Sequence, residues 1–517
     1  MKDDFRRSMG WLHTWAGVVL GSILFAIFWM GTLSVFDCEI DQWMKPATRL
    51  APAAHALPLE SYRPFLNEAI AAKASFWNVT LPGEREAVVH THYGTRQKFI
   101  SHDVNPVTGQ ILPDAGTLGA TGFIFPFHYT LNLELMNMGE WLVGLASMAM
   151  LALCVTGVII HRKIFTDFFT FRSQAKSRRM LLDLHNISGV LGLPFHCILT
   201  LSGLILLGAT FFPAGINAVY PNTRSYFFDS NGLSFLAVKH GKAGASVVSL
   251  DQAAMRAQSL WGNGAEPHLV LVANPGLTTS RIAFFRGTEG QVMVDRDVIA
   301  FEGSTGAFLS RPQALGKIMQ TQRFLSGLHL IEFHHWVLRW VYFVLGLGSC
   351  VLIATGFLFW LDTRRKRQAA QFGFRLVEGL AAGSVTGIIL ATLAFFVANR
   401  LLPVGVSFWG MERATVEICA FYTVWLAACV YGWLWPRSVW VMHCIAIGIL
   451  AILATVLNWI TTGDHLFRAV SHRYLWPVGG MDAVLLVGAL LAFLAAGRLL
   501  RRLRKQQHSS RLIVEAA

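Results

Sequence analysis

Charged residues are scarce in this chain: only 14% of its 517 residues are Asp, Glu, Lys or Arg. Soluble domains carry roughly a quarter, so an ordinary soluble domain is excluded. The seven cysteines show no paired spacing and no CxxC, which excludes a disulfide scaffold and a zinc ribbon. The chain has no P-loop, GxSxG or HExxH motif and no flavin or nicotinamide fingerprint, so an ATP-driven pump or a membrane protease has no motif support. Abundant Phe (37) and Trp (17) exclude disorder.

Long apolar runs are what the sequence has instead. A membrane-spanning helix needs about 20 apolar residues. Eight runs qualify: Thr14–Phe36, Trp141–Ile160, Ile187–Phe212, Trp340–Leu361, Gly379–Ala398, Ile418–Trp435, Val439–Ile460 and Val478–Ala496. The first is too long for a signal-peptide core and no cleavage site follows it. The chain is therefore expected to be an α-helical polytopic membrane protein with about eight transmembrane helices in the lipid bilayer.

The positions of the basic residues behind the net charge of +13 indicate how the chain is oriented in the membrane. We therefore exclude nucleic-acid binding. The basic residues gather at the N-terminus, after the second run, after the fourth run and at the C-terminus: Lys2, Arg6, Arg7; Arg162, Lys163, Arg172, Lys176, Arg178, Arg179; Arg364, Arg365, Lys366, Arg367; Arg498, Arg501, Arg502, Arg504, Lys505. Lys and Arg favour the cytoplasmic side. Both termini are therefore expected on the cytoplasmic side of the membrane, and the long segments 37–138 and 213–327 on the outer side.

Each long outer segment has the pattern of a small α+β unit. In each, a helical stretch precedes short alternating runs typical of strands. The first has a helix at Leu59–Ala74 and strands at Val79–Leu81, Ala87–Tyr93 and Lys98–Val104; the second has a helix at Leu250–Leu260 and strands at Leu269–Ala273, Arg281–Arg286, Val292–Val294 and Val298–Phe301.

Residues 1–362 contain an internal repeat. His13-x3-Gly17 matches His185-x3-Gly189 at an offset of 172 residues, which also carries Gly31 onto Gly203. Further matches in the same order are Val107–Leu112 with Ser304–Leu309, Phe127-His128 with Leu328-His329, and Thr156-Gly157 with Thr355-Gly356. Both copies run in the same direction, which indicates a parallel repeat about an axis along the membrane normal. The glycines at the repeated positions are interpreted as sites of close helix approach.

The repeat divides the chain into segments. They are a first transmembrane helix at 1–36, an outer unit at 37–138, the second and third transmembrane helices with a basic turn at 139–212, a second outer unit at 213–327 and the fourth helix at 328–363. Residues 376–500 contain no copy of the repeat and are expected to form a separate four-helix module, followed by a basic tail at 501–517.

Histidines recur at two depths of the expected bundle. His13 and His185 begin the first and third helices at the inner face, whereas His128 and His329 precede the second and fourth helices on the outer side. Ionisable residues within a membrane are costly and suggest function. Paired imidazoles from different helices suit two b-type haems, each held by two axial histidines, and the absence of CxxCH excludes covalent c-type haem.

Three further histidines leave the ligand pairing open. His196 lies eleven residues after His185, on nearly the same helix face and about 16 Å along the axis. His334 and His335 stand at the start of the fourth run, and His196 with either of them forms a competing outer set. His161 is an alternative partner for His185, although we favour interfacial anchoring for it and for His443. His90, His92 and His102 are expected on the surface, with metal binding by His90 and His92 as the lesser alternative.

The chain resembles the PepSY-associated transmembrane family, also called iron-regulated membrane proteins. The resemblance rests on Leu12-His13-Thr14-Trp15-Ala16-Gly17, on the His-x3-Gly start of the third helix, on the outer histidines and on the two Thr-Gly endings, the second continuing as Phe357-Leu358-Phe359-Trp360. Asn105-Pro106-Val107-Thr108-Gly109 matches the outer PepSY unit, and the resemblance covers about residues 8–365. The four C-terminal helices, His196 and the His334-His335 pair depart from the family's minimal pattern.

The resemblance implies a function. Members are bacterial inner-membrane proteins associated with siderophore-mediated iron uptake, and one branch is similar to di-haem reductases of ferric siderophores. It implies two haem b groups, a ferric siderophore or other periplasmic iron chelate as substrate, and an inner electron donor that is either quinol or a separate reductase. A non-enzymatic transporter or a PepSY-type binding or assembly factor is the alternative.

Overall fold

The computed structural model describes residues 2–52, 55–95, 98–161, 177–236, 241–244, 246–287, 290–294, 297–311, 316–405 and 407–515. They form two compact units: residues 1–46, 116–201 and 337–517 make up the helical unit, and residues 47–115 and 202–336 make up the sheet unit. The basic residues Arg162, Lys163, Arg172 and Lys176 lie outside the described residues.

Seven described helices are long and apolar enough to cross a membrane, and a bent pair makes an eighth span. In chain order, spans 1 to 8 contain the helices Lys2–Ser34; Met138–Ile160; Ser177–Leu191 with Leu193–Leu206; Trp336–Gln368; Phe372–Ala382 with Ile388–Leu401; Arg413–Leu434; Val439–Thr462; and Trp476–Glu515. A π-helical turn, Gly383–Gly387, connects the two halves of span 5. The expected polytopic helical fold is confirmed, and each helix extends beyond its apolar run at one or both ends.

Span 3 is bent by 60° between Leu191 and Leu193. Pro194 stands just after the bend, where its ring excludes a regular backbone hydrogen bond to Val190. The straight-helix geometry that related His185 to His196 is therefore wrong, because the bend separates the two residues.

The segment before span 2 is also interrupted. His128 lies in the short helix Phe125–Thr130, and the span begins only at Met138. A continuous helix from His128 to Ile160 would be about 49 Å long, more than the roughly 30 Å of a hydrocarbon core. The length therefore predicts either a haem held in protein outside the lipid or a break near Gly139. The break is confirmed, and a Cβ on Gly139 would lie 1.5 Å from the Thr130 carbonyl oxygen.

The C-terminal spans pack within the helical unit, against the first span and the short buried helix Asp37–Met44 that follows it. Trp29 Nε1 donates to Thr392 Oγ1 at 3.0 Å, and Arg400 donates to the carbonyl oxygen of Met44. Both contacts join the repeat to the C-terminal helices. The expectation of a separate module at 376–500 is therefore wrong.

The sheet unit contains seven antiparallel strands in the order β3-β2-β1-β4-β5-β6-β7. Their bounds are β1 Phe76–Thr80, β2 Val89–Gly94, β3 Phe99–Val104, β4 Pro267–Ala273, β5 Arg281–Arg286, β6 Val298–Glu302 and β7 Phe308–Ser310. β1 pairs with β4 from Phe76 opposite Ala273 to Thr80 opposite Leu269. Because this pairing joins the two outer segments into one sheet, the expectation of two small separate units is corrected.

Helices Arg63–Ala71 and Leu250–Trp261 cover one face of this sheet. Alternate strand residues, among them Val79, Val270 and Phe284, fill the core beneath them, as period-two alternation requires. The other described helices of this unit are Gly208–Phe211, Pro213–Val219, Thr223–Ser230 and Lys317–Leu330. The expected strand at Val292–Val294 is not formed, whereas β7 was not predicted.

Candidate haem site

His13 and His185, on spans 1 and 3, face each other. Their ring centroids are 6.3 Å apart and their planes are nearly perpendicular, at 87°. A ligating imidazole nitrogen lies about 2 Å from its metal and about 1 Å from its ring centre, so two rings on opposite sides of one iron have centroids roughly 6 Å apart. The spacing of the expected inner pair leaves room for one metal ion between the two imidazoles.

Hydrogen bonds orient both rings. His13 Nδ1 donates to Thr156 Oγ1 at 3.0 Å, and that hydroxyl in turn donates to the Ala152 carbonyl. His185 Nδ1 donates to the carbonyl oxygen of Leu352 at 2.9 Å. A proton on Nδ1 leaves the lone pair on Nε2, the nitrogen available to a metal. Histidine ligands in proteins are commonly oriented by such a bond from the other ring nitrogen.

The two rings line a cavity of about 590 Å³ in the helical unit. Most of its wall is apolar, with glycines at 10, 17, 21, 157, 189 and 356. A Cβ on Gly157 would lie 3.4 Å from the His13 ring, and one on Gly356 would lie 3.3 Å from the His185 ring. Arg179, Arg364 and His161 contribute polar groups to the same wall. The glycines make room for the imidazoles. Arg179 forms an ion pair with Asp183 at 3.0 Å, whereas Arg364 lies over the Trp360 ring, 4.6 Å from its centroid.

The outer histidines also rest on glycines of the repeat. His128 Nδ1 donates to the Ile27 carbonyl oxygen at 2.8 Å, and a Cβ on Gly31 would lie 2.6 Å from its ring. In the sheet unit, His329 Nδ1 and Ser202 Oγ are 3.1 Å apart, and a Cβ on Gly203 would lie 2.8 Å from that ring. Each outer histidine therefore lies over the glycine that the repeat aligns with it. That His128 and His329 share one haem stays a prediction.

This equivalence of the two halves agrees with a comparison to known families. The profile of the PepSY-associated TM region matches residues 10–363, more than half of the sequence. The chain belongs to this family. The match ends at the start of the basic turn after span 4, so the C-terminal spans of this PepSY-associated protein lie outside it.

One curated relative is similar to this PepSY-associated protein. It is the uncharacterized protein PA4219 of Pseudomonas aeruginosa, which is 24% identical over 281 residues, or 51% of this chain and 69% of the relative. The name of this relative states no activity, so the similarity indicates only that the two proteins are related.

The competing histidines have other partners. His196 is buried, and its Nε2 donates to Ser349 Oγ at 2.8 Å, because that hydroxyl is already donating to the Leu345 carbonyl. His334 and His335 precede span 4 in an irregular segment, and His334 Nδ1 lies 3.6 Å from a carboxylate oxygen of Glu84. The proton of His196 is therefore on Nε2, whereas the His334 contact involves Nδ1 and not Nε2, so the competing ligand set stays a prediction.

We assigned His161 and His443 to interfaces, and the structure contradicts this only for His443. His161 lines the cavity beside His13 and His185. His443 is buried, and its Nδ1 lies 2.7 Å from Thr386 Oγ1. The interfacial interpretation of His443 is therefore wrong. Its burial could not be seen in the sequence because it depends on the packing of span 7 against span 5.

His90 and His92 share one sheet face, as their alternation predicts, but His90 is held between two carboxylates. Its Nδ1 lies 2.8 Å from Asp103 and its Nε2 lies 3.2 Å from Glu86. Desolvation disfavours the charged ring, but these hydrogen bonds more than offset it and raise the pKa of His90 to about 10. Among the described residues, no three His, Cys, Asp or Glu side chains are grouped to hold a metal ion by themselves.

Proposed function

We propose that this protein carries electrons across the bacterial inner membrane through two b-type haems and reduces ferric iron in a periplasmic siderophore or similar chelate. The observation that carries the proposal is the 6.3 Å spacing of the His13 and His185 rings. Membership of the PepSY-associated family and the repeat of the histidines support it.

The residues around the cavity fit a b-type haem. His13 and His185 would be its axial ligands, while Thr156 and the Leu352 carbonyl fix their tautomers. The apolar wall limits water, and Arg364 suits a carboxylate at the edge of a haem. A haem bound there supplies a reversible Fe(III)/Fe(II) couple, whose potential is tuned by the ligands and their hydrogen bonds.

Reduction is a plausible way to release iron from a siderophore. Siderophores bind iron with hard oxygen donors, which suit Fe(III) better than Fe(II). The protein then needs only haem ligands, a low-dielectric path and an outer docking surface, with no catalytic acid or base. The inner donor, quinol or a separate reductase, belongs to the same proposal.

The experiment is an absorbance spectrum of the purified full chain, followed by histidine variants. A Soret band with reducible α and β bands is expected, and His13→Ala or His185→Ala should each remove about half of the haem. His443→Ala is the matched control, since His443 is another buried intramembrane histidine with its Nδ1 on a threonine. A colourless protein would favour the non-enzymatic alternative, and full haem content in both ligand variants would contradict the pairing.

His196→Ala separates the two outer ligand sets. If His196 is held by Ser349 as a structural group, the variant keeps both haems and loses only stability. Loss of one haem in His196→Ala, with full content in His128→Ala and His329→Ala, would favour the competing set.

A further inference from the structure

A second cavity, of about 500 Å³, lies among the C-terminal spans. Its wall comes from two chain turns and the helix ends beside them: Ala369 and Ala370 with Arg375 and Glu378 of the span 5 helix, and Leu434 of the span 6 helix with residues 435–438. Four membrane-spanning helices end at these turns. The cavity therefore lies at the boundary between the hydrocarbon core and the headgroup region.

The charge of this cavity is positive. Glu378 is buried and accepts a hydrogen bond from Arg365, so its carboxylate is already paired. Arg375 and Arg437 are exposed, and in the part of the chain that the structure describes neither guanidinium group has a hydrogen-bond or ion-pair partner. Two guanidinium groups from separate segments thus line one cavity with no local anion between them.

The same wall offers apolar contact. The side chains of Leu434 and Trp435 are more than half exposed beside the arginines. Tryptophan is enriched where hydrocarbon meets headgroups. A ligand that combines an anionic phosphate with acyl chains satisfies both parts of this surface, whereas a free phosphate satisfies only the arginines.

We propose that this cavity binds the phosphate headgroup of an anionic phospholipid through Arg375 and Arg437. Guanidinium groups bind phosphate through paired, charge-assisted hydrogen bonds, and basic pockets between transmembrane helices take anionic headgroups. This site lies outside the family-matched residues 10–363, so it is a property of the C-terminal spans and does not depend on haem.

The test is lipid retention by the purified full chain in mixed micelles, measured by native mass spectrometry. Phosphatidylglycerol should be retained in preference to phosphatidylcholine. Arg375→Ala and Arg437→Ala should each weaken retention about fivefold. The matched control is Arg501→Ala with Arg504→Ala, which removes two exposed arginines from the C-terminal part of the span 8 helix and should leave this lipid bound. Equal retention by the Arg375→Ala/Arg437→Ala variant and the wild type would overturn the proposal.

Two further experiments identify the ligand, and one of them uses the unaltered protein so that misfolding of a variant cannot affect the result. If millimolar inorganic phosphate displaces phosphatidylglycerol completely, the site takes free phosphate and the lipid proposal is wrong. A photoactivatable phosphatidylglycerol, applied to the unaltered protein, should crosslink to the turn at residues 434–438. Crosslinks that all map elsewhere would overturn the proposal without any variant.

Discussion

Trp43 Nε1 donates a hydrogen bond of 2.8 Å to Asp482 Oδ1, across 439 residues of sequence. Asp482 is fully buried, and its other oxygen accepts a bond from Asn458 at 3.3 Å. The Arg400 guanidinium lies over the Trp43 ring, 5.0 Å from its centroid. The C-terminal spans thus hold the segment that leads from span 1 toward residue 46.

The first prediction concerns this contact. Asp482→Leu removes the acceptor of the Trp43 Nε1 bond and one of the two acceptors of the Asn458 amide, and should lower the free energy of unfolding by about 1–3 kcal/mol. Asp482→Asn keeps an acceptor oxygen and should cost less. Reversible unfolding in SDS measures both. Trp43→Phe removes the donor of the same hydrogen bond, and Trp409→Phe is its control because Trp409 is 95% exposed. Equal losses of unfolding free energy in these two tryptophan variants would contradict the role of Trp43.

The second prediction uses the repeat as its own control. Thr156→Val removes the acceptor for His13 Nδ1 and should weaken haem retention by about tenfold, the lower end for losing a group that orients a histidine ligand. Thr355 is the equivalent residue and its hydroxyl likewise donates to two carbonyls of its own helix, but His185 Nδ1 donates to the Leu352 carbonyl and not to this hydroxyl. Haem dissociation should therefore change less in Thr355→Val. Identical dissociation rates in the two variants would show that the His13 bond is unimportant.

The third prediction concerns the glycines beneath the outer histidines. Gly31→Ala and Gly203→Ala each place a methyl group within 3 Å of an imidazole, so the ring of His128 or of His329 must move. If these rings are ligands, each variant should lose the outer haem, seen as one missing step in a redox titration. Gly208→Ala is the control, since a Cβ there meets no atom within 4 Å. Two intact steps in both test variants would argue against outer ligation.

The fourth prediction is a pH dependence of the sheet unit. The pKa of His90 is about 10 in the folded protein and about 6.5 when unfolded. Its ion pairs therefore stabilise the sheet fully below pH 6.5, and this contribution is lost as the pH rises toward 10. Hydrogen exchange of β2 and β3 in the full chain, corrected for intrinsic rates, should accelerate over that range. His90→Gln should remove most of the dependence, and an unchanged pH profile in that variant would contradict the assignment.

The fifth prediction is the membrane topology. Cysteines at Thr108 and Gly290, which are both exposed, should react with a membrane-impermeant maleimide from the periplasm. A cysteine at Arg504 should react only after the inner membrane is opened. Each variant is compared with the same protein before the new cysteine is added. Labelling of position 290 only after the membrane is opened would reverse the proposed orientation.

The sequence alone determined the features that depend on local composition. Apolar runs located the spans, because crossing a hydrocarbon core demands about 20 apolar residues whatever the rest of the chain does. The repeat paired His13 with His185, and the structure brings these two rings together. Helix length likewise predicted the interruption near Gly139. Pro194 indicates from the sequence that span 3 bends, but the sequence does not give the angle of the bend.

Tertiary structure decided what depends on distant partners. The outer segments share one sheet because β1 pairs with β4 across nearly 200 residues, and both strands have the same alternation whether or not they pair. In the sequence Asp482 only interrupts an apolar run, whereas in the structure it is a buried hydrogen-bond acceptor for Trp43 and Asn458. The sequence makes His196 a candidate ligand, and only the structure places Ser349 at its Nε2. In each case a strand or a buried polar group needs a hydrogen-bond partner within the fold. The sequence shows that a partner is needed but does not identify it.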